Sequence, residues 1–201
     1  MSGQFTPIPG GGAAVTLDEV EISIIRSLAT QLLELFGPGE ETPDDPLAQL
    51  FEEGPSEPPS DPVLKRLFPD AYGGPQAPGR RPPDDKEAAE QRERAAEFRR
   101  YTENDLRARK RDDALAVIRS LDALVPTGGS AELHLDPEGS RRWLGALNDL
   151  RLALGERLEV KDEDEIEDLF RLPDEDPRKP LVMAYLWLGS LQETLVATLL
   201  P

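Results

Sequence analysis

Apolar residues recur at helical spacing through Leu17, Val20, Ile24, Leu28, Leu32 and Leu35, and this stripe predicts a first helix. Its start is placed at Thr16, because Thr16 and Glu19 have capping-box spacing, and Gly37 and Pro38 end it. A second long helical stretch begins at Asp84, where Asp84 and Glu87 repeat the capping-box spacing. A break is expected near its middle, with Thr102 and Asp105 capping a second helix that turns Leu106, Ala114, Val117, Ile118, Leu121 and Leu124 inward. Pro126 and the Thr127–Ser130 turn stop it. Residues 131–135 then alternate, with Leu133 and Leu135 on one side and Glu132 and His134 on the other, which is the pattern of a short strand. A helix over 137–155 follows, with Trp143, Leu147, Leu150 and Leu154 on one stripe. Leu158 and Val160 suggest a second short strand, 162–170 a short acidic helix, and 181–200 a last helix apolar on nearly every side.

Twelve of the 20 prolines fall between Gly37 and Asp84, a density that long helices and central strands do not accommodate. Residues 37–84 therefore read as a loop-rich insertion with short helices at 47–53 and 63–68. Asp45-Pro46, Asp61-Pro62, Asp136-Pro137 and Asp176-Pro177 each precede an apolar run. An Asp cap accepts orphan amide bonds, and a proline at the first helical position gives up only an unpartnered N–H. The expected architecture is mainly α. It consists of a single helical-bundle domain over 16–201 with a minor pair of short strands and the proline-rich insertion, preceded by a flexible segment, 1–15.

Composition narrows the chemistry. The 201 residues include no cysteine and one histidine, which excludes disulfides, thiolate metal sites, cysteine nucleophiles and multi-histidine zinc sites. The formal charge is −17, which disfavours general affinity for nucleic acid. That charge is uneven: −10 over 1–79, +2 over 80–119 and −9 over 120–201. The start of the sequence lacks the basic and apolar regions of a secretory signal, so a cytoplasmic chain is expected. The apolar run at 181–200 is interrupted by Ser190, Gln192, Glu193 and Thr194 and reads as a core helix, not a membrane span.

No catalytic constellation is present: there is no nucleophile elbow, phosphate loop or dinucleotide fingerprint, and no cofactor is expected. A lone His134 is an ordinary structural or exposed residue before it is a general base. The acids at 162–165 fail the calcium-loop pattern, which would need glycine at Glu167 and an acid at Pro173. They read as a solvated face, or as a strip for a basic partner. The basic block 92–111 is the strongest candidate for contact, through Arg99, Arg100, Arg107, Arg109, Lys110 and Arg111. Phe98 and Tyr101 lie among these cations, as in nucleic-acid contacts. The alternative is a self-neutralised helix surface, with Glu90–Arg94, Glu103–Arg107 and Asp105–Arg109 at favourable spacing. Protein contact is favoured over DNA contact, and 137–155 offers no turn of the kind a helix-turn-helix requires. The apolar density of 181–200 makes that helix either central in the monomer or shared in a homodimer.

Four stretches carry a family resemblance: RLFPDAY (66–72), EFRRYTENDLRARK (97–110), WLGALNDLRLALGERL (143–158) and YLWLGSLQETLV (185–196). With them the chain resembles the AosR-like actinobacterial family of oxidative-stress transcriptional regulators. The resemblance implies a cytosolic, non-enzymatic regulator acting on transcription with a sigma factor or RNA polymerase, through a redox-active cysteine pair. This chain has no cysteine, so the pair has no counterpart here. Within the stretches, Trp143, Asn148, Asp149 and Arg151 read as structural, bonding to neighbouring helices. Two other functions remain open: a direct DNA-binding regulator using 92–111, and a cytosolic adaptor or scaffold.

Overall fold

The computed structural model describes residues 3–38, 54–73, 84–160 and 163–200. Its elements are β1 (Thr6–Pro7), β2 (Ala13–Asp18), α1 (Glu19–Phe36), α2 (Pro62–Leu67), α3 (Asp85–Asp122), β3 (Ser130–Leu135), α4 (Pro137–Arg157), α5 (Glu163–Phe170) and α6 (Lys179–Leu199). The fold is mainly α. Helices α1, α3, α4 and α6 pack around a shared apolar core that includes Ile25, Leu32, Val117, Leu121, Trp143, Leu147, Leu188 and Leu191.

The amino-terminal segment departs from expectation. Residues of the segment 1–15 expected to be flexible form β1 and the first half of β2, and Phe5, Ala13, Ala14 and Val15 are buried. The sheet order is β1-β2-β3, all antiparallel, with Ala13 opposite Leu135 and Asp18 opposite Ser130. Gly10, Gly11 and Gly12, all at positive φ, make the tight connection between β1 and β2. At Gly12 φ is +100°, and a Cβ there would come within 2.1 Å of the Leu135 carbonyl oxygen, so only glycine fits. Thr16 and Leu17 therefore belong to β2, and α1 starts later than expected. Asp18 is its cap: the Asp18 carboxylate accepts from the Glu21 N–H at 2.7 Å, and Glu21 accepts from the Asp18 N–H at 3.0 Å.

The second strand expected at Leu158 and Val160 is the end of α4. The Val160 N–H donates to the Gly155 carbonyl at 2.9 Å and the Glu159 N–H to that of Glu156 at 3.1 Å, a Schellman closure with Glu159 left-handed at φ 57°. Leu158 is the C-cap of α4 and is buried, so its apolar character marks a packed helix end and not the strand expected there.

The break expected at Thr102 is absent. Helix α3 runs unbroken for 38 residues, about 57 Å. The Thr102 hydroxyl donates to the Phe98 carbonyl at 2.8 Å, so it bonds within the helix and caps nothing.

Asp61 and Asp136 cap α2 and α4 as their Asp-Pro pairs predict. Asp176 does not cap α6; it accepts from the backbone and guanidinium of Arg178, and the helix begins at Lys179 without a side-chain cap. The helix expected at 47–53 lies outside the described residues. Among them, no helix is long and apolar enough to cross a membrane.

Candidate functional site

The basic block lies on α3, and its cations are distributed by the helical turn. Arg99 sits four residues before Glu103 on the buried stripe that continues through Ala114, Val117 and Leu121. The Arg99 guanidinium is only 5% exposed. It donates to Glu103, to the Phe68 carbonyl at 3.1 Å and to Asp70 at 2.8 Å. Burial opposes its charge, but hydrogen bonds and attraction from Asp70 and Glu103 outweigh that and hold the guanidinium above its ordinary range. Arg107 donates to the other oxygen of Glu103 at 2.8 Å and to the Phe36 carbonyl at 3.1 Å, and lies 4.5 Å over the Phe68 ring. Glu103 is thereby a buried carboxylate held by two guanidiniums.

Helix α1 has no basic residue in its own last turn. Its carboxy-terminal carbonyls carry partial negative charge, and α3 supplies the cations they lack. Arg107 reaches Phe36, while Arg111 donates to Gly37 and to Leu33 at 3.4 Å. Lys110 points to α4, where it bonds Asp149 at 2.5 Å. Burial pushes the Asp149 carboxyl up, against the pull of Lys110. Arg99, Arg107, Lys110 and Arg111, read from sequence as contacts for a partner, are thus engaged inside the fold. Arg100 is half-buried, and its carbonyl accepts from the Gly54 N–H at 2.8 Å; Arg109 is exposed.

The residues read as structural lie between helices. Trp143 is buried, its indole N–H donating to Ser120 at 3.0 Å and its ring meeting Phe5 edge-on. Arg151 donates to Gln192 at 2.7 Å, and Gln192 in turn donates to Asn148 at 3.5 Å, joining α4 to α6. Asp70, Phe36 and Gly37 were not anticipated from sequence. Asp70 is exposed in the irregular segment after α2 and carries no periodic signal, and the other two act through their backbone. The signal that would have placed Arg99 and Glu103 inward is their spacing, since both lie whole helical turns before the apolar stripe of α3.

His134 is exposed and lies 3.0 Å from Glu132. Among the described residues, no group of three or more histidines and carboxylates is placed to hold a metal ion.

Residues 2–199 match the family described as Domain of unknown function (DUF2017). The chain belongs to that family. It is 32% identical over 184 residues to the "Oxidative stress regulator AosR" of Mycobacterium tuberculosis and of Mycobacterium bovis, an alignment covering 90% of this chain and 78% of each relative. It is also 32% identical over 191 residues to the "Putative oxidative stress regulator AosR" of Mycobacterium leprae, covering 90% of this chain and 79% of that protein. No solved structure matches it significantly. In this DUF2017 chain, the four stretches that carry the AosR resemblance interlock. RLFPDAY supplies the Phe68 carbonyl and Asp70 to Arg99 of the second stretch, whose Lys110 meets Asp149 of the third. Asn148 and Arg151 of the third meet Gln192 of the fourth. The motifs of this DUF2017 chain therefore form a polar framework that fixes the helices relative to one another.

Proposed function

We propose that this chain is a non-enzymatic regulator of the oxidative-stress response that acts by protein contact with a sigma factor or RNA polymerase, without a cysteine switch. The observation that carries the reading is likeness over 90% of the chain to proteins named oxidative stress regulators. The interlocking of the shared stretches supports it, since they bond to one another and do not converge on a reactive group. Direct DNA contact through 92–111 draws less support, because four of the eight cations in that block face carboxylates and carbonyls of their own fold. A scaffold role in another cytoplasmic process keeps the same framework but predicts a different partner.

Interferometry with immobilised chain against purified RNA polymerase and individual sigma factors tests the proposal. Binding to one of them is expected, with the chain giving the same affinity whether it has been pretreated with peroxide or dithiothreitol, because it has no thiol to titrate. Failure to bind polymerase and every sigma factor would overturn it.

A further inference from the structure

Helix α3 presents two stripes on opposite sides. The inward one carries Ala95, Arg99, Glu103, Ala114, Val117 and Leu121, all buried. The outward one runs through Arg94, Phe98, Tyr101, Asp105 and Ala108, at alternating steps of four and three residues, and each is exposed. That spacing is the one by which a helix presents a seam to another helix. At its middle Phe98 is 48% and Tyr101 67% exposed. Tyr72 stands edge-on against Phe98, with ring centroids 6.2 Å apart. Phe98 and Tyr101 on an otherwise charged helix face, with Tyr72 from the segment after α2 beside them, form an apolar spot that water solvates poorly.

We infer that this seam binds a second copy of the chain, antiparallel and two-fold symmetric about a point between Phe98 and Tyr101. Charge complementarity selects that occupant. The two-fold axis sets Phe98 against Tyr101 of the partner subunit and Arg94 against Asp105 of the partner subunit, and each contact occurs twice. Aromatic contacts are then bracketed by ion pairs that fix the register. A parallel pairing sets Arg94 on Arg94 of the partner subunit and like acids on each other, which is repulsive. A wholly basic or wholly acidic foreign helix complements only one end of the seam. Farther out, Glu87 falls opposite Asp112 of the partner subunit, which limits the overlap to 91–108, about 27 Å of helix. A helix pair of that length falls in the small, transient class of interface, for which we expect dissociation at roughly micromolar concentration. This association does not depend on which partner the chain regulates.

Analytical ultracentrifugation of the full chain across roughly the micromolar range tests the inference. A reversible monomer–dimer equilibrium is expected, and Tyr101→Glu raises its dissociation constant by roughly tenfold or more while leaving the circular dichroism unchanged. Arg94→Glu and Asp105→Arg each weaken the dimer. Mixing these two variants restores it, because both ion-pair layers are again of opposite sign. A chain that stays monomeric throughout overturns the inference, as does a dimer indifferent to Tyr101→Glu. Loss of the dimer on Val196→Glu instead would move the interface to α6, and failure of the mixture to recover would overturn the antiparallel register.

Discussion

Helices α3 and α6 are both long and both central, yet they are held by opposite means. Helix α6 buries Val182, Trp187, Leu188, Leu191 and Leu195 and is fixed by apolar burial. Up to Lys110, α3 offers little apolar surface and is held by charge: Arg99 and Glu103, both buried, and Arg107 and Lys110, half-buried, each with a partner in another element or another turn. The contrast shows that a high density of charge does not mark a solvent-facing helix. A charged side chain with defined partners can occupy a core position, at the cost of desolvation. The two modes also fail differently, because apolar packing loses free energy in proportion to what is removed, whereas a charged framework leaves an uncompensated group behind.

The largest effect is expected from breaking the buried charge on one side only. Arg99→Met leaves Glu103 buried with half its partners, and urea denaturation should show a loss of about 3–5 kcal/mol. Adding Glu103→Leu should recover most of that loss, since an apolar pair of similar volume replaces the ions. If the double variant were no better than the single one, α3 would depend on its charges in a way α6 does not. Next, Leu191→Ala on α6 should cost about 2–5 kcal/mol by the same assay, as a methyl-lined cavity opens in the core. Arg111→Gln removes a cation from the end of α1 and should cost about 1–2 kcal/mol.

The smallest effect concerns Asp113, on the α3 face toward α4. Burial holds its carboxyl above the usual range; Arg142 opposes this and Asp149 adds to it. A carboxyl whose folded pKa exceeds its unfolded one lowers stability once the pH rises past the folded value. Asp113→Asn should therefore raise the melting temperature at pH 7, and the gain should vanish as the pH falls toward about 4, the ordinary carboxylate value. A gain that persisted in acid would show that the effect is not ionic.

Much of this fold was legible because its signals are local. Asp61-Pro62 and Asp136-Pro137 locate the starts of α2 and α4, the Asp84 and Glu87 spacing locates that of α3, and the alternation of Leu133 and Leu135 locates β3. What escaped depends on distant partners. β2 reads AAVTLD, with Ala13, Ala14, Val15 and Leu17 all buried, so it lacks the clean alternation of a half-exposed strand, and its pairing with β3 cannot be inferred from neighbouring residues. At the candidate site, the residue types of the basic block were plain, but their direction was not. Spacing alone favoured Glu103–Arg107, which exists; the carbonyls of Phe36 and Gly37 that receive Arg107 and Arg111 belong to a turn some 70 residues earlier. Exposure of Phe98 and Tyr101 likewise follows only from knowing which side of α3 the other helices occupy.

The Phe5 N–H donates to the Thr194 hydroxyl at 3.1 Å, across 189 residues of sequence. The bond closes only when the sheet and α6 meet, so Phe5 is tied to α6 after the helices between them have packed. Until then Phe5 lacks this anchor on α6. The sheet's outer strand and the helix farthest from it in sequence are thus coupled, and loosening either one frees the other's polar partner.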